Sequence, residues 1–207
     1  ELRPGHYMQV TKAGSTISRY WNLEFPRAGE ESQMSEVEAA DQLRELLSDA
    51  TRLRLRADVT VGSYLSGGLD STYIAGLIRQ HTPDSLCTFS IAFANTAYDE
   101  SKYQELATAF LETDHRRTYC EDDDIGRVLP EVIWHTEVPI LRTSPVPMYL
   151  LSRLVRDNGI KVVLTGEGSD EFLGGYDIYK EDKIRRFWAR DPESALRPLL
   201  LRRLYPY

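Results

Sequence analysis

Apolar and polar positions alternate along the chain with two different periods. β-Branched and apolar residues form short runs such as Val59 to Leu65, which is typical of buried strands. Between these runs, apolar residues recur every three or four positions, as they do on one face of a helix. The pattern predicts these elements: strand 59–65, helix 71–81, strand 86–92, helix 100–112, strand 115–120, helix 123–135, helix 147–157, strand 161–165 and helix 178–190. Strands that alternate with helices indicate an α/β fold with a parallel sheet wrapped by helices.

The amino-terminal part of the chain has a different pattern. Residues 1–34 predict extended segments with turns at Pro4-Gly5 and near Gly14, and then a linker rich in Pro, Gly, Glu and Ser. Ser35 and Glu38 have the spacing of a capping box, so a helix is predicted to begin there and to reach about Arg56. We therefore predict a connector over 1–34 and one main domain over 35–207.

The sequence also predicts the buried face of one helix and the ends of another. In helix 100–112 one set of apolar side chains is expected to face the core: Tyr103, Leu106, Ala107, Phe110 and Leu111. Pro147 at the start of the helix 147–157, and Gly159 just beyond its end, fit the usual placement of these residues at helix ends.

The loop between the first strand of the main domain and its helix reads Ser66-Gly67-Gly68-Leu69-Asp70-Ser71. The first N–H groups of a helix have no intrahelical partner and lie at the positive end of the helix dipole, so they attract anions. Gly67 and Gly68 lack a Cβ, so the backbone can approach phosphate oxygens, and Ser66 and Ser71 add hydroxyl donors. The segment therefore predicts a phosphate-binding loop, with a plain helix-capping turn as the alternative.

Asp70 introduces a negative charge beside the predicted phosphates. A carboxylate there would repel phosphate unless a cation lay between them, and its hard oxygen atoms suit Mg²⁺, so we predict Asp70 as a Mg²⁺ ligand. The loop lacks the lysine that reaches the β- and γ-phosphates in the Gly-Lys-Ser/Thr motif of common nucleoside triphosphatases. A different cleavage of ATP is therefore expected.

A second glycine-rich segment, Leu164 to Glu171 (LTGEGSDE), follows another short apolar strand. Its three carboxylates repel one another unless cations or hydrogen bonds compensate, which is typical of metal or catalytic sites; a solvated acidic turn is the alternative. Gly166 and Gly168 lack the third glycine of a dinucleotide-binding fingerprint, which excludes that interpretation. Because ligands bind at the carboxyl ends of parallel strands, both segments are expected on one rim of the sheet.

Together, SGGLDS and TGEGSDE, followed by Gly174-Gly175-Tyr176, resemble the synthetase domain of the glutamine-hydrolysing asparagine synthases, which is of the ATP-pyrophosphatase (PP-loop) type. The segments 88–93 (TFSIAF), 98–101 (YDES) and 147–153 (PMYLLSR) match that family in the same order, and the resemblance covers about 57–190. It implies a three-layer α/β/α fold of the adenine-nucleotide α-hydrolase-like kind, with ATP and Mg²⁺ bound.

The resemblance also implies roles for individual residues. The nucleoside part of ATP would contact Leu65, Ile91, Thr165 and Gly166, although the residues alone favour a plain core role for Ile91. The pyrophosphate would be held by Ser66, Gly67, Gly68 and Ser71. Asp70 and Asp170 would hold Mg²⁺, and Glu167 and Asp170 would be catalytic, with Glu167 acting in adenylate formation and on the incoming amine. Arg142 fits a substrate-binding arginine and a surface arginine equally well, and is not assigned.

The activity implied by the resemblance is conversion of aspartate to asparagine through β-aspartyl-AMP, with release of AMP and pyrophosphate. Ammonia would come from glutamine through a glutaminase domain that is absent here, so the chain is expected to be a fragment: a connector over 1–34 and a C-terminally truncated synthetase domain over 35–207. A related adenylating enzyme with another amine, such as a β-lactam synthetase or lasso-peptide cyclase, remains open. So does a non-catalytic nucleotide-binding domain, although three retained carboxylates argue against it.

Composition narrows the set of partners. The 207 residues are 42% hydrophobic and 28% charged, as in globular proteins, and no apolar run approaches the roughly 20 residues of a membrane span. A net charge of −7 argues against nucleic-acid binding, and the basic residues in 180–203 are interpreted as solvated helix faces. The expected partners are small-molecule substrates and the glutaminase domain, in the cytoplasm, with no membrane contact; a homodimer remains open.

Overall fold

The computed structural model describes residues 2–27, 29–96 and 98–205, and the chain forms two compact units, 1–44 and 45–207. The first unit contains an antiparallel hairpin of β1 (His6–Thr11) and β2 (Gly14–Arg19), in which His6 pairs with Arg19. Helix α1 (Glu36–Arg54) begins with the predicted capping box. The Ser35 N–H donates to Glu38 Oε2 at 2.9 Å, and the Glu38 N–H donates to Ser35 Oγ at 3.3 Å.

The second unit alternates strands and helices, as predicted. Its elements are β3 (Val61–Tyr64), α2 (Leu69–His81), β4 (Cys87–Phe93), α3 (Ser101–Leu111), β5 (Asp114–Cys120), α4 (Asp122–Thr136), α5 (Pro145–Asp157), β6 (Val162–Leu164), α6 (Ser169–Leu173), α7 (Asp177–Ala189) and α8 (Leu199–Leu204). Each predicted element of this unit is present, with ends displaced by at most two residues. The helices α6 and α8 were not predicted, because five or six residues are too few to show a helical period.

A parallel four-stranded sheet, in the order β5-β4-β3-β6, lies at the centre of this unit. β3 pairs with β4 through Ser63 and Thr88, and with β6 through Ser63 and Leu164. The adjacent strands β3 and β6 therefore end at the same edge of the sheet. This pairing sets the loop that follows β3 beside the loop that follows β6, as expected for neighbouring parallel strands.

Helices cover both faces of the sheet, which confirms the predicted three layers. On one face, Leu65 packs with Ala75 of α2 and Ala107 of α3. On the other face, Phe89 of β4 packs with Leu151 of α5, and α4 and α5 enclose a third apolar cluster beside it. Successive strand residues point to opposite faces of the sheet. A strand that is covered on both faces therefore has a continuous run of apolar residues in its sequence.

The prediction for helix α3 is wrong at three positions. Tyr103, Leu106 and Phe110 are exposed, Phe110 to 83%, although Ala107 is buried as predicted. The buried stripe instead passes through Gln104 and Ala107, which lie three residues apart on one face. The side-chain nitrogen of Gln104 donates to a backbone carbonyl of β4 at 2.9 Å, which offsets part of the cost of burying this residue; its Oε1 is buried without a hydrogen-bond partner among the described residues.

Among the residues that the structure describes, no helix is both long enough and apolar enough to cross a membrane.

Candidate active site

The loop after β3 is held by its own hydroxyl groups. The Ser66 N–H donates to Ser71 Oγ at 3.1 Å, the two serine hydroxyls lie 2.9 Å apart, and the Gly68 N–H donates to Ser66 Oγ at 3.2 Å. Helix α2 begins directly after Gly68, has Asp70 in its first turn and has no side-chain N-cap. The loop is therefore fixed in shape, and the first amide groups of α2 remain available to an anion.

The two glycines of this loop have different structural roles. Gly67 has a φ of +86°, and a Cβ built there would lie 2.7 Å from Gln104 N and from Tyr103 C. Gly68 has an ordinary φ of −71°, and a Cβ there would meet only Ser66 Oγ, at 3.2 Å. Glycine is thus required at position 67, both for the backbone conformation and for the close approach to α3.

Gly166 is the point at which the two predicted segments touch. A Cβ at this position would lie 2.9 Å from Ser71 N and 3.0 Å from Asp70 C and Cβ. These distances are too short for any other residue, and two of the three atoms belong to backbone. The absence of a side chain at Gly166 therefore allows the loop after β6 to pack directly on the start of α2.

The acidic segment after β6 is ordered by short-range hydrogen bonds. The Glu167 N–H donates to Thr165 Oγ1 at 3.3 Å, and Ser169 Oγ donates to Gly166 O at 2.7 Å. The Gly175 N–H donates to Asp170 O at 3.1 Å. A Cβ on Gly175 would lie 1.8 Å from Asp170 Oδ1, so the Asp170 carboxylate occupies the space that a side chain at position 175 would take.

These loops border a cavity of about 290 Å³ at the carboxyl edge of the sheet. Nine of the predicted site residues line it: Leu65, Ser66, Asp70, Ser71, Ile91, Thr165, Gly166, Glu167 and Asp170. Gly67 and Gly68 are not among its described lining residues, and Arg142, which was not assigned, is exposed elsewhere. The structure thus brings the two predicted segments to one cavity. Gly67 does not line this cavity but packs against α3.

Sequence reasoning missed several residues of the cavity wall. They include Ser90, Tyr98, Glu100, Met148 and Tyr176. Tyr98 and Glu100 belong to the YDES segment and Tyr176 ends the GGY segment, so all three lie in segments that carry the family resemblance. Nothing in the sequence alone, however, indicates that these segments reach the same cavity.

The cavity is strongly acidic. Its wall contains four carboxylates, those of Asp70, Glu100, Glu167 and Asp170, and none of the described lining residues is Lys, Arg or His. The negative phosphates of a nucleoside triphosphate would be repelled by these carboxylates unless cations accompanied them. The wall therefore fits Mg²⁺, a hard cation that proteins bind through one or two carboxylates together with substrate phosphates. Within the described parts of the chain, no group of three or more His, Cys, Asp or Glu side chains is arranged so that it could hold a metal ion by itself.

The third carboxylate of the acidic segment, Glu171, serves a different purpose. It is not among the described lining residues; instead, Tyr176 donates its hydroxyl hydrogen to Glu171 Oε1 at 3.0 Å. This hydrogen bond, together with the nearby charges of Asp170 and Glu167, raises the pKa of Tyr176. The shift therefore reinforces the protonated form that a phenol already has at neutral pH.

A half-buried histidine, His115, lies behind the cavity wall. His115 Nδ1 is 2.9 Å from Thr88 Oγ1, and His115 Nε2 is 2.9 Å from Ser90 Oγ, whose residue lines the cavity. Burial lowers the pKa of His115, and Arg117 and Arg116 lower it further. The ring is held between two hydroxyl groups, its lowered pKa favours the neutral form, and its contact with Ser90 orients that side chain.

The chain belongs to the asparagine synthase family, because the model of that family, described as asparagine synthase, matches residues 42–206. Amidase chry2 of Gibberella zeae is 34% identical over 200 residues, which cover 89% of this chain and 30% of that protein. The glutamine-hydrolyzing asparagine synthetase 1 of Bacillus subtilis is 29% identical over 202 residues, which cover 97% of this chain and 31% of that protein. The chain therefore spans about a third of the length of these curated relatives.

Solved structures also resemble this fold. The NH3-dependent NAD synthetase from Campylobacter jejuni, solved in complex with nitrate, superimposes with a TM-score of 0.45 at 20% identity. The superposition covers 66% of this chain and 60% of that chain.

Proposed function

We propose that the protein containing this chain is an ATP-dependent ligase that activates a carboxylate as an acyl adenylate and converts it to an amide. For aspartate, the products would be asparagine, AMP and pyrophosphate. The observation that carries the proposal is the contact of Gly166 with Asp70 and Ser71, which joins the phosphate-binding loop and the acidic segment at one cavity. Membership of the asparagine synthase family supports the reaction class.

The cavity wall supplies distinct surfaces for the parts of ATP. We assign the nucleoside to Leu65 and Ile91 at the ends of β3 and β4, with Thr165 and Gly166 beside them. The pyrophosphate would lie at the start of α2, whose first amides point toward an anion. Mg²⁺ would be held by Asp70 and Asp170, and when bound it would offset the charge of the departing pyrophosphate.

The proposed chemistry has two displacements. In the first, a carboxylate oxygen of the substrate attacks the α-phosphorus, and the bond to pyrophosphate breaks. In the second, an amine nitrogen attacks the acyl carbon, AMP leaves with the electrons of the broken bond, and the nitrogen loses a proton. Glu167 is a carboxylate on the cavity wall and would accept that proton. By extension from relatives named as glutamine-hydrolyzing, we propose that ammonia reaches this site from a glutaminase domain.

The test is ATP–pyrophosphate exchange by the full-length natural protein in the presence of Mg²⁺ and one carboxylate at a time. We expect exchange with aspartate, and a fall of roughly a hundredfold in Asp70→Asn, because Asp70 would hold the cation at the leaving group. Asp84→Asn, an exposed acid beyond the other end of α2, is the matched control and should exchange normally.

The outcomes separate the alternatives. Exchange that depends on another carboxylate and not on aspartate would retain adenylation and reassign the substrate, in line with relatives that carry an amidase name. ATP binding without exchange, for every carboxylate, would support the non-catalytic domain and refute the proposal.

A further inference from the structure

Tyr176 is the residue through which the glycine turn after α6 reaches the cavity. It lines the cavity, and its hydroxyl donates to Glu171 Oε1 at 3.0 Å. Gly174 has a φ of +72°, and the space at Gly175 is filled by the Asp170 carboxylate. The turn therefore delivers the phenol directly beside Asp170.

The phenol is held from two sides. Its ring stacks on that of Tyr179, with centroids 6.4 Å apart and planes inclined by 18°. The Tyr179 hydroxyl donates to the Glu171 backbone carbonyl at 3.1 Å, which fixes the residue that binds the Tyr176 hydroxyl. Tyr176 is thus a positioned side chain on the cavity wall, although 42% of its surface is exposed.

The direction of this hydrogen bond determines what the phenol can recognise. A tyrosine hydroxyl has one proton, and here that proton is committed to Glu171, so the oxygen presents only lone pairs to other groups. The nearby carboxylates of Glu167 and Asp170 are also acceptors. A wall of acceptors disfavours phosphate and carboxylate oxygens and favours an N–H donor. The amine nucleophile is such a donor.

We propose that the Tyr176 oxygen accepts a hydrogen bond from the amine nucleophile, and that Glu171 is a positioning residue that keeps the hydroxyl proton turned away from the amine. The inference rests on the adenylation function proposed above, because it assigns the second reactant of that reaction to one part of the same cavity. It also explains why one of the three acidic side chains after β6 is withdrawn from the wall.

The test compares ammonia-dependent amide formation in variants of the full-length natural protein, with ammonium chloride as the amine and with aspartate and ATP in excess. Tyr176→Phe keeps the ring and removes the acceptor, so the KM for ammonium should rise about five- to tenfold, as expected for one lost hydrogen bond. ATP–pyrophosphate exchange and the KM for ATP should stay unchanged. Tyr119→Phe removes an exposed tyrosine hydroxyl from β5 and should leave every constant within about twofold, because Tyr119 is not among the described lining residues and does not contact Tyr176 or Glu171 in the hydrogen bonds described above.

Two substitutions of Glu171 test its positioning role independently. Glu171→Ala frees the hydroxyl proton of Tyr176 and should raise the KM for ammonium. Glu171→Gln retains an oxygen that accepts this proton, so it should restore most of the affinity for ammonium. A merely structural role would give both variants similar losses of exchange and of thermal stability.

Each result supports the inference or overturns it. An unchanged KM for ammonium in Tyr176→Phe overturns it, as does a raised KM for ATP, which would assign the phenol to the adenine amine or the ribose. Equal behaviour of Glu171→Ala and Glu171→Gln overturns the positioning role. If the parent protein shows no exchange with any carboxylate, the proposed function has failed; if the parent exchanges and Tyr176→Phe uses ammonium like the parent, only this inference has failed.

Discussion

Replacing Gly67 with alanine should destabilise the protein far more than the same change at Gly68. The two glycines are neighbours in one loop, but only Gly67 combines a left-handed backbone with a close approach to another helix. Gly68 has φ −71° and ψ 167°, a conformation open to any residue. The pair is therefore a matched comparison, in which composition and location are the same and local geometry differs.

The magnitude follows from two contributions at Gly67. A non-glycine residue at a φ of +86° costs about 1–2 kcal/mol. The new Cβ would lie 2.7 Å from backbone atoms of Tyr103 and Gln104, and overpacking of this kind typically costs about 1–3 kcal/mol. The free energy of unfolding should fall by about 2–5 kcal/mol, which lowers Tm by roughly 4–20 °C for a chain of this size. At Gly68 the only near atom is the rotatable Ser66 Oγ, so the change should stay within about 1 kcal/mol.

Thermal unfolding and calorimetric titration with ATP and Mg²⁺ measure the two consequences. Gly67→Ala should lower both Tm and nucleotide affinity, because the loop can relieve the contact with α3 only by moving. Gly68→Ala should resemble the parent in both measurements. Equal Tm values and equal affinities for the two variants would refute the steric account of this loop.

Two further predictions concern the opposite loop and the residue behind the wall. In Gly175→Ala the new Cβ would meet Asp170 Oδ1, a rotatable atom, so ATP–pyrophosphate exchange should fall at least about tenfold while Tm changes little; normal exchange would show that this carboxylate position is not needed. Burial lowers the pKa of His115, so between that value and the ordinary value of about 6.5 the unfolded chain binds more protons. Stability should be full above about pH 6.5 and should fall as the pH drops below it, as measured by urea midpoints between about pH 5 and pH 8. His115→Gln should flatten this slope, and a parent midpoint that does not vary with pH would contradict the assignment.

Features that depend on residues close together in the sequence were predictable from the sequence alone. The strand, glycine and helix pattern around 66–71 predicts an anion-binding loop because the unpaired amides at a helix start have a fixed direction, and the structure has the expected strand, loop and helix there. The capping box at Ser35 and Glu38 is likewise a local geometry, and it is present as predicted. Such features depend on residues close in sequence, which a single chain displays directly.

Contacts between distant segments were not predictable in the same way. The exposure of Phe110 shows that an apolar residue at helical spacing does not identify the buried face, since Gln104 occupies that face through its hydrogen bond to β4. The roles of Gly166 and Tyr176 depend on which strands are neighbours, and the sequence contains no direct record of strand order. The candidate site residues are proposed because their types are unusual together, but only the structure shows which of them line the cavity and which, like Gly67, support the loop.

The pairing of β3 with β6 has a consequence for folding. Ser63 Oγ donates to Leu164 O at 3.1 Å across 101 positions of the chain, and β6 is a three-residue strand at the edge of the described sheet. Such non-local contacts carry a large loop-closure entropy and form slowly. A ligand that touches the loops after both strands would bind only the docked state, so it would slow hydrogen exchange in β6 more than in β4. Assembly of the sheet edge and ligand binding would then be one linked equilibrium, and a nascent chain would bind the ligand only after residues 162–164 had joined the sheet.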